Sequence, residues 1–114
     1  MQTLVQMLQR EPYSGTRARA ALALGEAGDR TSVKPLIAAL RDKSSVVRRD
    51  AAKSLALLGD PSAIPALRRA AREAAPDAVN TPRGHQESQG AIGNAIAALQ
   101  RRAARSGFGT VEAR

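Results

Sequence analysis

The chain contains no cysteine and one histidine, and aromatic residues make up only 2% of its 114 residues. Without cysteine, neither a disulfide framework nor a thiolate metal site can form. Because aromatic residues are so scarce, the core must be built from Ala, Leu, Val and Ile. No apolar run approaches the roughly 18 residues of a membrane span, and residues 1–10 lack the pattern of a secretory signal. We therefore expect a cytoplasmic protein that does not associate with membranes.

Positive charge is in excess, with a formal net charge of +8 at pH 7. Such a balance raises the expectation of an acidic partner, such as nucleic acid or an anionic protein face. The excess is evenly spread, because residues 1–60 carry 10 Lys/Arg and 6 Asp/Glu and residues 61–114 carry 8 and 4. An even spread is more typical of a solvated surface than of a dedicated nucleic-acid groove.

An internal repeat dominates the sequence. A shift of 31 residues aligns residues 17–42 with residues 48–73 without a gap, and nine of the 26 pairs are identical. The identical pairs include Arg, Leu, Gly and Asp as well as Ala, so the agreement exceeds what a shared Ala-rich composition would give. Repeats of this length are typical of stacked helical hairpins.

Each repeat predicts two helices. Apolar residues recur at helical spacing at Val47, Ala51, Leu55 and Leu58, which marks one buried face. Gly59 then suits a left-handed helix end. Asp60 and Pro61 suit the start of the next helix, as its N-cap and first position. Pro65 predicts that this helix starts late or with a 3₁₀ turn, because proline cannot donate a backbone hydrogen bond.

The same pattern predicts helices near 2–10, 16–27, 32–42, 46–58, 62–74 and 88–104. The expected fold is all-α: a single α-solenoid domain over residues 1–105, with about three HEAT-like hairpins and a period of roughly 31 residues. The hairpins fall at about 1–28, 29–59 and 60–105, and the third contains an insertion at 75–88. Residues 106–114 are expected to form a flexible tail.

Segments 16–29 and 46–70 carry an Arg, an Ala-Ala pair and a Gly-Asp turn at fixed spacing. They resemble the short HEAT-like repeats named after phycobilisome lyases. The resemblance is close over residues 3–74 and weaker over 88–104, where Gln89 stands at the Arg position and Gly93 replaces an Ala. It implies a non-catalytic scaffold, because most members of that family bind other proteins. Only some take part in attaching or removing bilin pigments, so an accessory subunit of a bilin lyase is a third hypothesis.

No constellation of residues indicates catalysis, a metal site or a cofactor. The single histidine, His85, lies in the insertion with no second His, no Cys and no paired carboxylate nearby, and we interpret it as an exposed loop residue. Arg17 and Arg48 recur at the same repeat position. They could form a row of cations for an acidic ligand, but we favour a structural role in which they bond the Asp29 and Asp60 turns and join neighbouring hairpins.

Two surfaces are candidates for binding. By analogy with the family, the second helix of each hairpin lines a concave face, and its predicted partner-binding residues are Arg19, Leu22, Glu26, Asp50, Lys53, Leu57 and Asn94. Exposed leucines within a polar rim indicate a protein contact. The alternative is non-specific binding of nucleic-acid phosphates by Arg68, Arg69, Arg72, Arg101 and Arg102. End hairpins expose apolar faces, so self-association is a further expectation.

Overall fold

The computed structural model describes residues 3–73 and 82–105. These form six α-helices: α1 (Thr3–Arg10), α2 (Ser14–Ala27), α3 (Val33–Ala39), α4 (Ser45–Leu58), α5 (Ile64–Glu73) and α6 (Pro82–Arg105). Short 3₁₀ turns, Arg30–Ser32 and Pro61–Ala63, precede α3 and α5. The helices pair into three hairpins, and the predicted all-α solenoid is confirmed. The tail 106–114, residues 75–81 of the expected insertion and the His85 side chain lie outside the described residues. Residues 82–88 of the expected insertion belong to α6, so the predicted loop position of His85 is wrong.

The turns between hairpins follow the predicted Gly-Asp pattern. Gly28 and Gly59 end α2 and α4 in the left-handed conformation, with φ of 74° and 71°. The next residues, Asp29 and Asp60, then accept hydrogen bonds from the backbone N–H groups of Thr31 and Ser62, both at 2.9 Å. The Thr31 hydroxyl, which also donates to Asp29 at 2.7 Å, and the Thr31 N–H lower the pKa of Asp29. The hydrogen bond from the Ser62 N–H lowers the pKa of Asp60. Local sequence chemistry therefore fixes where one hairpin stops and the next begins.

Proline sets the start of the helices in the third hairpin. The late start predicted from Pro65 is confirmed, because a 3₁₀ turn precedes α5 and places Pro65 in the first α-helical turn. The last helix begins at Pro82, six residues before the predicted start at 88. Proline is favoured at a first helical position, where no N–H donor is needed. The buried face of α5 continues from Leu67 to Ala70, whereas Ala71 is exposed.

The hairpins stack so that second helices pack against second helices. Helix α4 lies between α2 and α6, and contacts both extensively. The first helices, α1, α3 and α5, contact one another much less. A layer of closely packed helices beside a layer of more widely spaced ones curves toward the closely packed side. The second helices therefore form the inner face. The core residues Val47, Leu55, Ile92 and Leu99 are completely buried.

Small residues bring α2 and α4 unusually close together. Gly25 lies directly against Ser54, and the Ser54 hydroxyl donates a 2.6 Å hydrogen bond to the carbonyl of Ala21. Ser54 is fully buried, so this bond satisfies a hydroxyl that would otherwise be costly to bury.

Arg17 joins the first hairpin to the second. Its Nε and Nη2 donate to the two carboxylate oxygens of Asp42, at 2.9 and 3.0 Å, while Nη1 donates to the carbonyls of Glu11 and Pro12. The hydrogen bonds to Asp42 raise the pKa of Arg17. The predicted joining role is confirmed, but the predicted partner, Asp29, is wrong. Arg17 lies near the start of α2 and Asp29 follows its end, so roughly 18 Å of helix separate them.

Arg48 repeats only half of this arrangement. Its Nη1 donates to the carbonyls of Asp42 and Lys43, as Arg17 does in its own turn. Its Nε and Nη2 are buried and have no hydrogen-bond partner among residues 3–73 and 82–105. The predicted partner Asp60 instead accepts from Ser62.

Within the described residues, no helix combines the length and the apolar character that crossing a membrane would require.

Candidate partner-binding groove

The inner face of the solenoid contains a groove of about 790 Å³ between α4 and α6, with one wall completed by α2. We call it the B-helix groove, where B denotes the second helix of each hairpin. Its apolar lining consists of Leu22, Ala56, Leu57, Ala91, Ala95 and Ala98. Its polar lining consists of Arg49, Lys53, Glu87, Asn94 and Arg101. The groove therefore has an apolar centre and a charged rim.

Leu57 is the most exposed apolar residue of the groove, with 61% of its surface accessible to solvent. The other large exposed apolar residues of the described chain, Tyr13 and Val46, do not line the groove. Leu57 projects from α4 toward solvent because the core face of that helix is already filled by Val47, Ala51, Leu55 and Leu58. Leu22 is partly buried on α2. Small side chains on α6 leave the space beside these two leucines open.

Some charged residues of the groove form ion pairs and others do not. Arg49 donates from Nε to an Asp50 carboxylate oxygen at 3.0 Å and lies 3.5 Å from the Glu87 carboxylate on α6. The bond to Asp50 is the main cause of a raised pKa of Arg49. Lys53 and Arg101 form no ion pair with any described residue. The open charge in the groove is therefore cationic.

The structure brings together four of the seven residues predicted for this face: Leu22, Lys53, Leu57 and Asn94 all line the groove. Arg19 and Glu26 are exposed on α2 but lie outside it. The predicted exposure of Asp50 is wrong, because only 6% of its surface is accessible. Arg49, the preceding residue, lines the groove in place of Asp50, and the Asp50 carboxylate accepts a hydrogen bond from Arg49.

Sequence reasoning missed the α6 wall. Ala91, Ala95 and Ala98 recur at helical spacing, but the spacing alone does not single them out as groove residues. Whether such alanines face a neighbouring helix or an open groove depends on the stacking of the hairpins, which the sequence does not display.

The five arginines proposed for phosphate binding do not share one surface. Arg69 lines a shallow groove between α3 and α5, on the side of the first helices, together with Lys34 and Arg41. Arg101 lines the B-helix groove, and the Arg102 side chain lies against Gly59. Arg68 and Arg72 are exposed on α5. Arg69 and Arg101 therefore lie in different grooves.

Residues 3–73 and 82–105 contain no group of three or more His, Cys, Asp or Glu side chains that could hold a metal ion.

Comparison with known proteins agrees with this architecture. A family model described as HEAT repeats matches residues 1–81. The chain is also similar to phycocyanobilin lyase subunit alpha of Picosynechococcus sp., with 48% identity over 60 residues. That alignment covers 51% of this chain and 22% of the relative, so the chain spans about a fifth of the relative's length. Because the family model covers more than half of the chain, the protein belongs to the HEAT-repeat family.

Proposed function

We propose that this protein is a non-catalytic scaffold that binds another protein through the B-helix groove. The observation that carries the proposal is Leu57, an exposed leucine in a groove lined by apolar residues and flanked by charged ones. Repeat solenoids use their inner surface to hold extended ligands, and an exposed apolar centre within a polar rim is typical of a protein contact.

The energetic contribution of Leu57 can be approximated from its exposure. Complete burial of a leucine side chain contributes about 1.5–3 kcal/mol, and 61% of Leu57 remains to be buried. Covering it with a partner would therefore contribute roughly 1–2 kcal/mol. Replacement by glutamate removes that contribution and also places a charge in the apolar centre, so binding should weaken at least about tenfold.

The experiment is a pull-down from lysate of the encoding organism, with and without nuclease, using wild type, Leu57→Glu and Tyr13→Glu. Tyr13 is 73% exposed, lies in the turn between α1 and α2, and does not line the groove. Both variants change the net charge equally. A discrete protein that survives nuclease, persists with Tyr13→Glu and disappears with Leu57→Glu would support the scaffold. Loss of all partners after nuclease would refute it in favour of nucleic-acid binding.

The similarity to a phycocyanobilin lyase subunit supports a narrower second candidate, an accessory subunit of a bilin lyase complex. The support comes from the 60 aligned residues alone. Co-expression with phycobiliprotein subunits and phycocyanobilin tests it. Co-purification of pigment or pigment protein is expected if the candidate is correct, and a colourless protein without these companions would contradict it.

A further inference from the structure

We infer that the segment bound in the B-helix groove is an acidic amphipathic helix of the partner. This inference rests on the proposed function and specifies the chemistry of the ligand. Three observations support it: the small side chains of the α6 wall, the length of the groove and the unpaired cations that flank its apolar centre.

The α6 wall favours a helix. Ala91, Ala95 and Ala98 line the groove, and because Ala91 and Ala95 are themselves buried, no long side chain of these positions stands between α6 and a ligand. Small residues allow a second helix to approach closely. Leu57, opposite this wall, can insert between the side chains of such a helix. An added β-strand would instead need a sheet edge with free backbone groups, and the described part of the chain contains helices and turns only.

The lining residues of α6 indicate the size of the ligand. From Ala91 to Arg101 the helix rises roughly 15 Å, which matches about three turns of a bound helix. A ligand of this length presents apolar residues at i, i+3 or i+4 and i+7 along one face.

The charge of the rim favours an acidic ligand. Lys53 lies one helical turn before Leu57 on α4, and Arg101 lies about one turn after Ala98 on α6. Both are exposed groove residues without an ion pair among the described residues. The acidic residue of the rim, Glu87, is already 3.5 Å from Arg49. Carboxylates flanking the apolar face of a bound helix would complement Lys53 and Arg101, whereas lysines there would be repelled.

Nucleic acid fits the same cations less well. No aromatic side chain lines the groove, so bases would have no stacking platform. The apolar centre would also be left facing a polyanion.

The test is selection of binders from a displayed library of random peptides of about 12 residues, a length matched to the groove. Peptides are selected on wild type and depleted on Leu57→Glu, so that the remaining sequences depend on the groove. We expect these sequences to be net negative, with apolar residues at helical spacing. On Lys53→Glu/Arg101→Glu they should bind at least tenfold more weakly, and selection on that variant should enrich basic peptides. Arg68→Glu/Arg72→Glu is the control, because it changes the net charge equally outside the groove and should leave binding unchanged.

The outcomes separate this inference from the proposed function. Leu57-dependent peptides that are neutral, basic or without helical spacing would overturn the acidic helix while leaving the scaffold intact. Failure to enrich any Leu57-dependent peptide would overturn both. A short single-stranded DNA that displaces the selected peptides and requires Lys53 and Arg101 would overturn the acidic helix in favour of a nucleic-acid ligand. Equal weakening by both charge-reversal variants would also overturn it, because the attraction would then be general and not local.

Discussion

Replacing Gly25 by alanine would place a methyl group inside the contact between α2 and α4. The added Cβ would lie 2.6 Å from the Ser54 Cα and closer still to the Ser54 side chain. Carbon atoms pack at about 3.5–4.0 Å, so the helices would have to separate by roughly 1 Å. Overpacking of this kind costs about 1–3 kcal/mol. The separation would also weaken the hydrogen bond from Ser54 to Ala21, worth about 1 kcal/mol.

Alanine offsets part of this cost, because it is favoured over glycine inside a helix by about 1 kcal/mol. The net loss in the free energy of unfolding is therefore about 1–3 kcal/mol. For a domain of this size, Tm should fall by about 4–12 °C. Thermal and urea unfolding followed by far-UV circular dichroism measure both quantities.

Gly93→Ala is the matched control. Gly93 lies within α6, and nothing surrounds the position of its absent Cβ within 4 Å. Alanine there should stabilise the protein by up to about 1 kcal/mol. Gly25→Ala combined with Ser54→Gly should recover part of the lost stability. If Gly25→Ala proved as stable as Gly93→Ala, the close approach of α2 and α4 would be refuted.

Four further substitutions test individual side chains. Arg17→Gln should lower the free energy of unfolding by about 2–4 kcal/mol, because it leaves the mostly buried Asp42 carboxylate without its bidentate partner. Arg48→Gln should lower the free energy of unfolding by only about 1 kcal/mol, because two buried nitrogens of Arg48 are unpaired among the described residues. Equal losses for Arg17→Gln and Arg48→Gln in urea unfolding would contradict this prediction. Asp60→Ala should be less stable than wild type at neutral pH. Because folding lowers the pKa of Asp60, its carboxylate stabilises the protein fully above the unfolded-state pKa of about 3.9, and this stabilisation is lost as pH falls through the folded-state pKa. A difference in free energy of unfolding between wild type and Asp60→Ala that grows as pH falls would refute this prediction. Leu57→Glu should leave the free energy of unfolding within about 0.5 kcal/mol of wild type, because Leu57 is largely exposed. A larger decrease measured by calorimetry would mean that Leu57 packs in the core.

The features that the sequence predicts well are those set by neighbouring residues. Helical spacing of apolar residues identified the core of α4, and the Gly-Asp pairs located the turns after α2 and α4. The late start of α5 followed from the chemistry of Pro65. Each depends on a few consecutive residues, so the periodic pattern contains the necessary information.

The features that the sequence misses depend on how the hairpins stack. Arg17 was paired with the wrong aspartate. Asp29 follows the end of α2, whereas Asp42 precedes the start of α4, and only the parallel stacking of α2 and α4 brings Asp42 within reach of Arg17. Whether Asp50 or its neighbour Arg49 faces the groove depends on how α4 is rotated about its axis, and a shift of one residue position reverses the assignment. The contact of Gly25 with Ser54 joins residues far apart in the chain, and nothing local distinguishes Gly25 from the other glycines.

The groove was half predicted for the same reason. Leu22 and Leu57 stood out as apolar residues on a face expected to be wet, and both line the groove. The alanines opposite them carry no local signal that separates an open wall from a packed interface.

The most direct test of the central proposal is site-specific photo-crosslinking in cells or fresh lysate. A benzophenone amino acid replaces Leu57 in one variant and Tyr13 in another, and the crosslinked products are treated with nuclease and separated. The proposal predicts a discrete protein adduct from position 57 that resists nuclease and is absent from position 13. The same adducts from both positions, or an adduct at position 57 that nuclease removes, would contradict a protein-binding groove.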